Sequence, residues 1–65
     1  MPLAQITLLE GNDEQAKRKL IANVTAACVE SLNCAPEQVR VLITEMSPAH
    51  WGVGGLSVQD RTAKG

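Results

Sequence analysis

Apolar and polar residues follow a two-residue period from Leu3 to Leu9, which predicts a strand. Ala4, Ile6 and Leu8 share one face, wholly apolar, which is expected to meet a helix. Leu3, Gln5, Thr7 and Leu9 share the other, a mixed face of the kind another subunit would cover. From Asp13 to about Leu32 the period becomes helical. Leu20, Ile21, Val24, Ala27, Cys28, Ser31 and Leu32 form a stripe, and Lys17, Arg18, Asn23 and Glu30 lie off it. Ala22, Ala26 and Val29 also lie off the stripe, so a second helix face is partly apolar and points to assembly. Val39 to Glu45 returns to alternation, with Val39, Val41 and Ile43 on one face and Arg40, Leu42 and Thr44 on the other.

The residues between these runs set the connections. Glu10-Gly11-Asn12 reads as a turn, with Asn12 as helix N-cap and Gln15 three residues later as in a capping box. Asp13 and Glu14 put negative charge where the helix dipole favours it. Asn33 to Gln38 reads as a loop in which Pro36 blocks further helix. Strand, helix and strand predict a right-handed crossover with parallel strands. Two strands alone are too few for a stable sheet. Gly52, Gly54 and Gly55 allow tight turns around Val53 and Leu56, which suits a short hairpin. From Ser57 onward the chain is polar and is expected to be mobile. The expected class is therefore α/β (α+β): one β-α-β unit with parallel strands plus a short C-terminal hairpin over residues 2–56, and a polar tail over 57–65.

With 65 residues the chain is one domain. A chain of this size buries only about 60% of the surface it exposes when unfolded. It needs a staple: disulfides, a metal or a partner. One histidine, His50, and two cysteines, Cys28 and Cys34, do not make a zinc ligand set, so no metal is expected. No secretory signal precedes the cysteines, and both read as small apolar core thiols, with a free reactive thiol as the alternative. Partner subunits remain as the source of extra burial. A net charge of -1 argues against nucleic acid, and no apolar run is long enough to span a membrane. The absence of a targeting segment fits a cytoplasmic protein.

Parallel strands begin at the same sheet edge, so Pro2 and Arg40 are expected close together there. Pro2 taken alone reads as a starter residue that permits removal of Met1. Freed of Met1, it is a secondary amine. An ordinary α-amino group has a pKa of about 7.7–8.0. Desolvation and a nearby arginine would lower it and leave a neutral base at working pH. Arg40 reads either as a solvated edge residue or as a fork that binds a carboxylate. Trp51, the single aromatic residue, is either core or interface, or the wall of a pocket. His50 beside it is either a turn residue or a general base.

Four segments bear on these alternatives: Pro2 to Gly11, Asp13-Glu14-Gln15, Val39 to Met46, and His50 to Gly55. Together they resemble the 4-oxalocrotonate tautomerase family, without a gap from residue 2 to about 56. The resemblance implies a hexamer, a trimer of dimers, with a cofactor-free site built from more than one chain. It implies a small unsaturated keto acid as substrate and a place in the degradation of aromatic compounds. Pro2 would be the general base that moves a proton between carbons of an enol or dienol acid. Arg40 would anchor the carboxylate and the developing enolate. Trp51 stands where the family usually has Phe, and the main chain near Leu9 would line the pocket.

One position departs from the pattern. Asn12 stands where the typical family member has an arginine that holds the far carboxylate of a dicarboxylate. That implies weak activity on a dicarboxylate dienol, or a substrate with one carboxylate. It also leaves two other readings open. One is a non-catalytic or partner-dependent subunit of a heterohexamer in place of a homohexamer. The other is a related hydratase or dehalogenase of unsaturated acids, although no acidic residue that would activate water is evident in the matching region.

Overall fold

In the computed structural model, which describes residues 1–64, strand β1 covers Leu3–Leu9 and helix α1 covers Glu14–Leu32. Strand β2 follows at Arg40–Met46, then the short strands β3 (Gly52–Val53) and β4 (Leu56–Ser57), then helix α2 (Val58–Lys64). β1 and β2 pair in parallel, from Leu3 opposite Arg40 to Leu9 opposite Met46. β3 and β4 pair antiparallel. Gly54 and Gly55 between them have φ of 63° and 89°, the positive values that a type I′ hairpin turn needs at both central positions. The expected β-α-β unit with a C-terminal hairpin is thus the architecture observed.

Four local features differ from the sequence reading. The N-cap is Asp13, not Asn12: its carboxylate accepts the Ala16 N–H at 2.7 Å. A carboxylate both caps and matches the positive helix end, and so outcompetes an amide one residue earlier. The side chain of Asn12 turns back instead, donating from Nδ2 to the Leu9 carbonyl at 3.2 Å. Secondly, β2 starts and ends one residue later than expected. Val39 then precedes the strand, and at 9% exposure it is the most deeply buried apolar residue among those described.

Thirdly, α1 packs a face rotated from the expected stripe. Its half-buried positions are Lys17, Leu20, Val24, Thr25, Cys28 and Val29, while Ile21 and Leu32 are 40% and 60% exposed. The rotation brings the Lys17 ammonium to the Glu45 carboxylate on β2, at 2.9 Å. Lastly, the segment beyond Ser57 is helical. Ser57 Oγ accepts the Asp60 N–H at 3.1 Å at its start. The pair Ser57 and Asp60 is a Ser-x-x-Asp start signal that the composition of the segment obscured.

Little of the chain is buried. Alternation along both strands hides Ala4, Ile6, Val41 and Ile43 in part and leaves Leu3 and Leu42 57% and 50% exposed on the far face. The radius of gyration is 15.3 Å, against about 11 Å for a compact chain of this length. The accessible surface is 4875 Å², where a self-contained monomer of this mass would show about 4,000 Å². The uncovered sheet face is where the missing burial belongs. No helix among the described residues is long and apolar enough to cross a membrane.

Candidate active site

Pro2 is half-buried immediately before β1. Its carbonyl accepts the Arg40 N–H at 3.0 Å, which closes the first rung of the β1–β2 ladder. Proline lacks an N–H, so its nitrogen takes no part in the ladder and is available for other use. Met1 ahead of it is 83% exposed, so losing it disturbs little packing. While Met1 is attached, the Pro2 nitrogen is an amide without useful basicity. Hydrolysis of that bond turns it into a secondary amine.

The guanidinium of Arg40 is exposed and is tied on one side: Nη1 donates to the Glu37 carbonyl at 2.7 Å. The rest of its fork remains for a ligand. Glu37 lies in a single 3-10 turn, Pro36–Gln38, between α1 and β2. Neither this turn nor its carbonyl was evident in the sequence beyond the presence of Pro36.

The other candidates lie at the opposite end of the strands. Leu9 closes β1, and the next rung is the Glu10 N–H to the Met46 carbonyl at 3.0 Å. The Leu9 carbonyl is occupied by Asn12 Nδ2. Trp51 is half-buried and lines an open cleft of about 350 Å³ with Thr7, Met46, His50 and Gly52. Two devices hold the tryptophan there. The Ser47 carbonyl and Oγ accept N–H groups of His50 and Ala49 in the turn before it, at 2.9 and 3.2 Å. The first residue of α2, Val58, donates its N–H to the Trp51 carbonyl at 2.8 Å.

Asn12 lines a separate depression of about 230 Å³ with Leu8, Ala16, Lys17 and Leu20. Leu8 and Thr7 point to opposite faces of β1, so the Asn12 depression is on the helix side and the Trp51 cleft on the far side. Lys17 is the cation of that depression, and it is already engaged with Glu14 and Glu45, each at 2.9 Å. The hydrogen bond from Lys17 lowers the Glu14 carboxyl below its usual range, and the bonds to Glu14 and Glu45 raise the Lys17 ammonium. Among the described residues, no three His, Cys, Asp or Glu side chains gather as a metal cluster.

The chain therefore brings Pro2 and Arg40 together at one end, and Leu9, Asn12 and Trp51 to the other. Six residue steps of strand separate the ends, roughly 20 Å at about 3.3 Å per residue. A small molecule cannot touch both within one chain. A site that uses all five residues is assembled from more than one copy.

A family model described as tautomerase enzyme matches residues 2–61. A 2-hydroxymuconate tautomerase of Pseudomonas sp. (strain CF600) is 47% identical over 55 residues, 85% of this chain and 87% of that protein. TomN, described as a 4-oxalocrotonate tautomerase homologue in the tomaymycin biosynthetic pathway, superposes with a TM-score of 0.93. It is 45% identical, over 95% of each chain. A heterohexamer 4-oxalocrotonate tautomerase from Chloroflexus aurantiacus J-10-fl superposes with a TM-score of 0.88 at 37% identity. That match covers 92% of this chain and 97% of the other.

Proposed function

The chain belongs to the tautomerase family, and from that premise we propose that it moves a proton between carbons of an enol or dienol form of a 2-keto acid. It is an isomerase of the kind that interconverts keto and enol groups. In our reading Pro2, freed of Met1, is the general base. Its neutral amine takes the proton from the enol acid and returns it to a distant carbon. Arg40 binds the carboxylate and the oxygen on which enolate charge develops, where a preorganised donor is worth most. Trp51 of a neighbouring copy walls the cleft and keeps water from the amine, and the backbone near Leu9 lines it. No metal or cofactor enters these steps.

The observation that carries this reading is the first rung of the ladder, which puts the proline and the arginine side by side. Assembly follows from the same reading. The uncovered sheet face and the separation of the two half-sites both call for partner copies, and the Chloroflexus relative is a hexamer. We infer a hexamer built as a trimer of dimers, from the domain over residues 2–56.

Asn12 sets the substrate class. It offers an amide where a dicarboxylate needs a cation, its Nδ2 is already turned to the Leu9 carbonyl, and nearby Lys17 is neutralised by two carboxylates. We read the preferred substrate as a 2-hydroxydienoate with one carboxylate.

A second reading keeps the fold and makes the chain a partner-dependent subunit of a mixed hexamer, with a sister chain supplying the missing cation. Asn12 and the heterohexameric relative favour it. The test is the intact mass of the purified chain followed by ultraviolet assay of 2-hydroxydienoate ketonisation. A mass short by one Met with turnover by the chain alone supports the first reading. The same mass with turnover only after mixing with a related chain supports the second. Retention of Met1 together with full turnover overturns the role of Pro2.

A further inference from the structure

Arg40 is aimed by a carbonyl, and a carbonyl can be no better placed than the turn that carries it. Glu37 sits at the centre of the Pro36–Gln38 turn, and its oxygen takes the Arg40 Nη1–H at 2.7 Å. Three bonds close this turn. Two are backbone: the Gln38 N–H to the Ala35 carbonyl at 3.0 Å and the Val39 N–H to the Pro36 carbonyl at 3.1 Å. The third is a side chain folded back: Gln38 Oε1 accepts the Ala35 N–H at 2.9 Å. It ties both ends of the turn with Glu37 between them. Val39, directly after it, is the most deeply buried apolar residue among those described and anchors the far side.

We propose that Gln38 is a positioning residue for the tautomerase reaction: its side chain locks the Ala35–Gln38 turn, which fixes the Glu37 carbonyl and so aims the Arg40 guanidinium. The inference rests on the role of Arg40 proposed above. Gln38 is exposed and needs no contact with substrate. Its effect passes through one turn and one hydrogen bond. The side-chain carbonyl of glutamine is what the position requires, since only an acceptor of that length reaches the Ala35 N–H. A carboxylate at the same reach does the same, and a methionine of the same length does not.

Small misplacements of a positioned group cost catalysis heavily, up to about 10²-fold for 1 Å. Loss of one of three bonds in the turn is expected to lower kcat/KM about tenfold. The experiment uses the processed, assembled protein and three variants: Gln38→Met, Gln38→Glu and Arg40→Ala, with the double variant Gln38→Met/Arg40→Ala. Circular dichroism and hydrodynamic size first establish that each is folded and assembled. Gln38→Met should lose about tenfold in kcat/KM, Gln38→Glu should stay within about threefold of wild type, and the double variant should equal Arg40→Ala alone. Additive losses in the double variant, or equal losses in Met and Glu variants, overturn the proposal, because a general structural role predicts both. An Arg40→Ala variant with wild-type turnover sinks the role of Arg40 itself, which is a separate failure. A wild-type Gln38→Met beside a crippled Arg40→Ala sinks only the role of Gln38.

Discussion

The Arg40 N–H donates to the Pro2 carbonyl at 3.0 Å, so Pro2, immediately before β1, and Arg40, the first residue of β2, share a rung. That rung uses the acyl side of Pro2 and leaves its nitrogen free. Removing Met1 therefore changes the chemistry of the nitrogen without unmaking the ladder. The protein lacking Met1 is expected to fold as the longer form does and to differ from it in turnover. General base catalysis contributes about 10²–10⁴-fold, and a loss of that order is expected in any form that keeps Met1. Intact mass and kinetics on the same preparation check this, and equal rates for the two forms would remove Pro2 from the mechanism.

Arg40→Ala should lower kcat/KM by about 10²–10³-fold, the usual cost of deleting one donor to a developing oxyanion. The assembly should survive, since the Arg40 side chain hydrogen-bonds a local carbonyl and is otherwise exposed. Arg40→Lys should recover only part of the loss, because an ammonium lacks the planar fork. Steady-state kinetics with size-exclusion chromatography test both statements.

Asn12→Arg restores a cation at the far end of the proposed substrate. A hydrogen bond to a charged group is worth about 1.5–3 kcal/mol, so kcat/KM for dicarboxylate dienols should rise by roughly tenfold or more. The rate with monocarboxylate dienols should change little. A variant that gains nothing on dicarboxylates would show that the position does not meet substrate.

Lys17 bridges α1 to β2 through Glu45 and also pairs with Glu14 on its own helix. The Glu14 carboxyl is lowered from its ordinary 4.5, so its stabilisation is present above that value and is lost as pH falls through the folded pKa below it. The Lys17 ammonium is raised from 10.5, so its contribution is present below that value and is lost as pH rises through the folded pKa above it. Lys17→Gln should therefore lower the melting temperature by a few degrees at most at neutral pH. The difference from wild type should close as pH falls through the lowered pKa of Glu14 and as it rises through the raised pKa of Lys17. Thermal melts across that range decide it, and a difference independent of pH would mean that Lys17 acts by packing alone.

Much of this fold could be read from periodicity. The alternation of Ala4, Ile6 and Leu8 against Leu3, Gln5 and Thr7 survives in the burial of β1, and the glycine pair at 54 and 55 forms the hairpin turn. The helix face was harder. Ile21 and Leu32 belong to an apolar stripe in sequence, yet the face that packs within the chain includes Lys17. Hydrophobicity cannot distinguish a residue buried by its own sheet from one left for a partner. A lysine flanked by two glutamates in space looks like a surface residue until the register of β2 is known. Asn12 and Asp13 are both good caps, and periodicity cannot choose between them: in the fold the Asp13 carboxylate takes the Ala16 N–H while Asn12 turns back to the Leu9 carbonyl. The placement of Pro2 beside Arg40 followed from parallel pairing. The turn that holds Arg40 did not, since its key acceptor is a backbone carbonyl with no residue signature.

The wide separation of the two strand ends has a genetic corollary. If each catalytic centre borrows its base from one copy and its wall from another, a chain ruined at Pro2 still carries a sound Trp51, and a chain ruined at Trp51 still carries a sound Pro2. Two such defective products, made together in one cell, would form some centres with both parts intact. Activity would reappear from a cross of two inactive alleles. Conversely, a single faulty copy would silence the centre it founds and weaken the one it adjoins, so the harm done by one bad allele would exceed its share of the subunits.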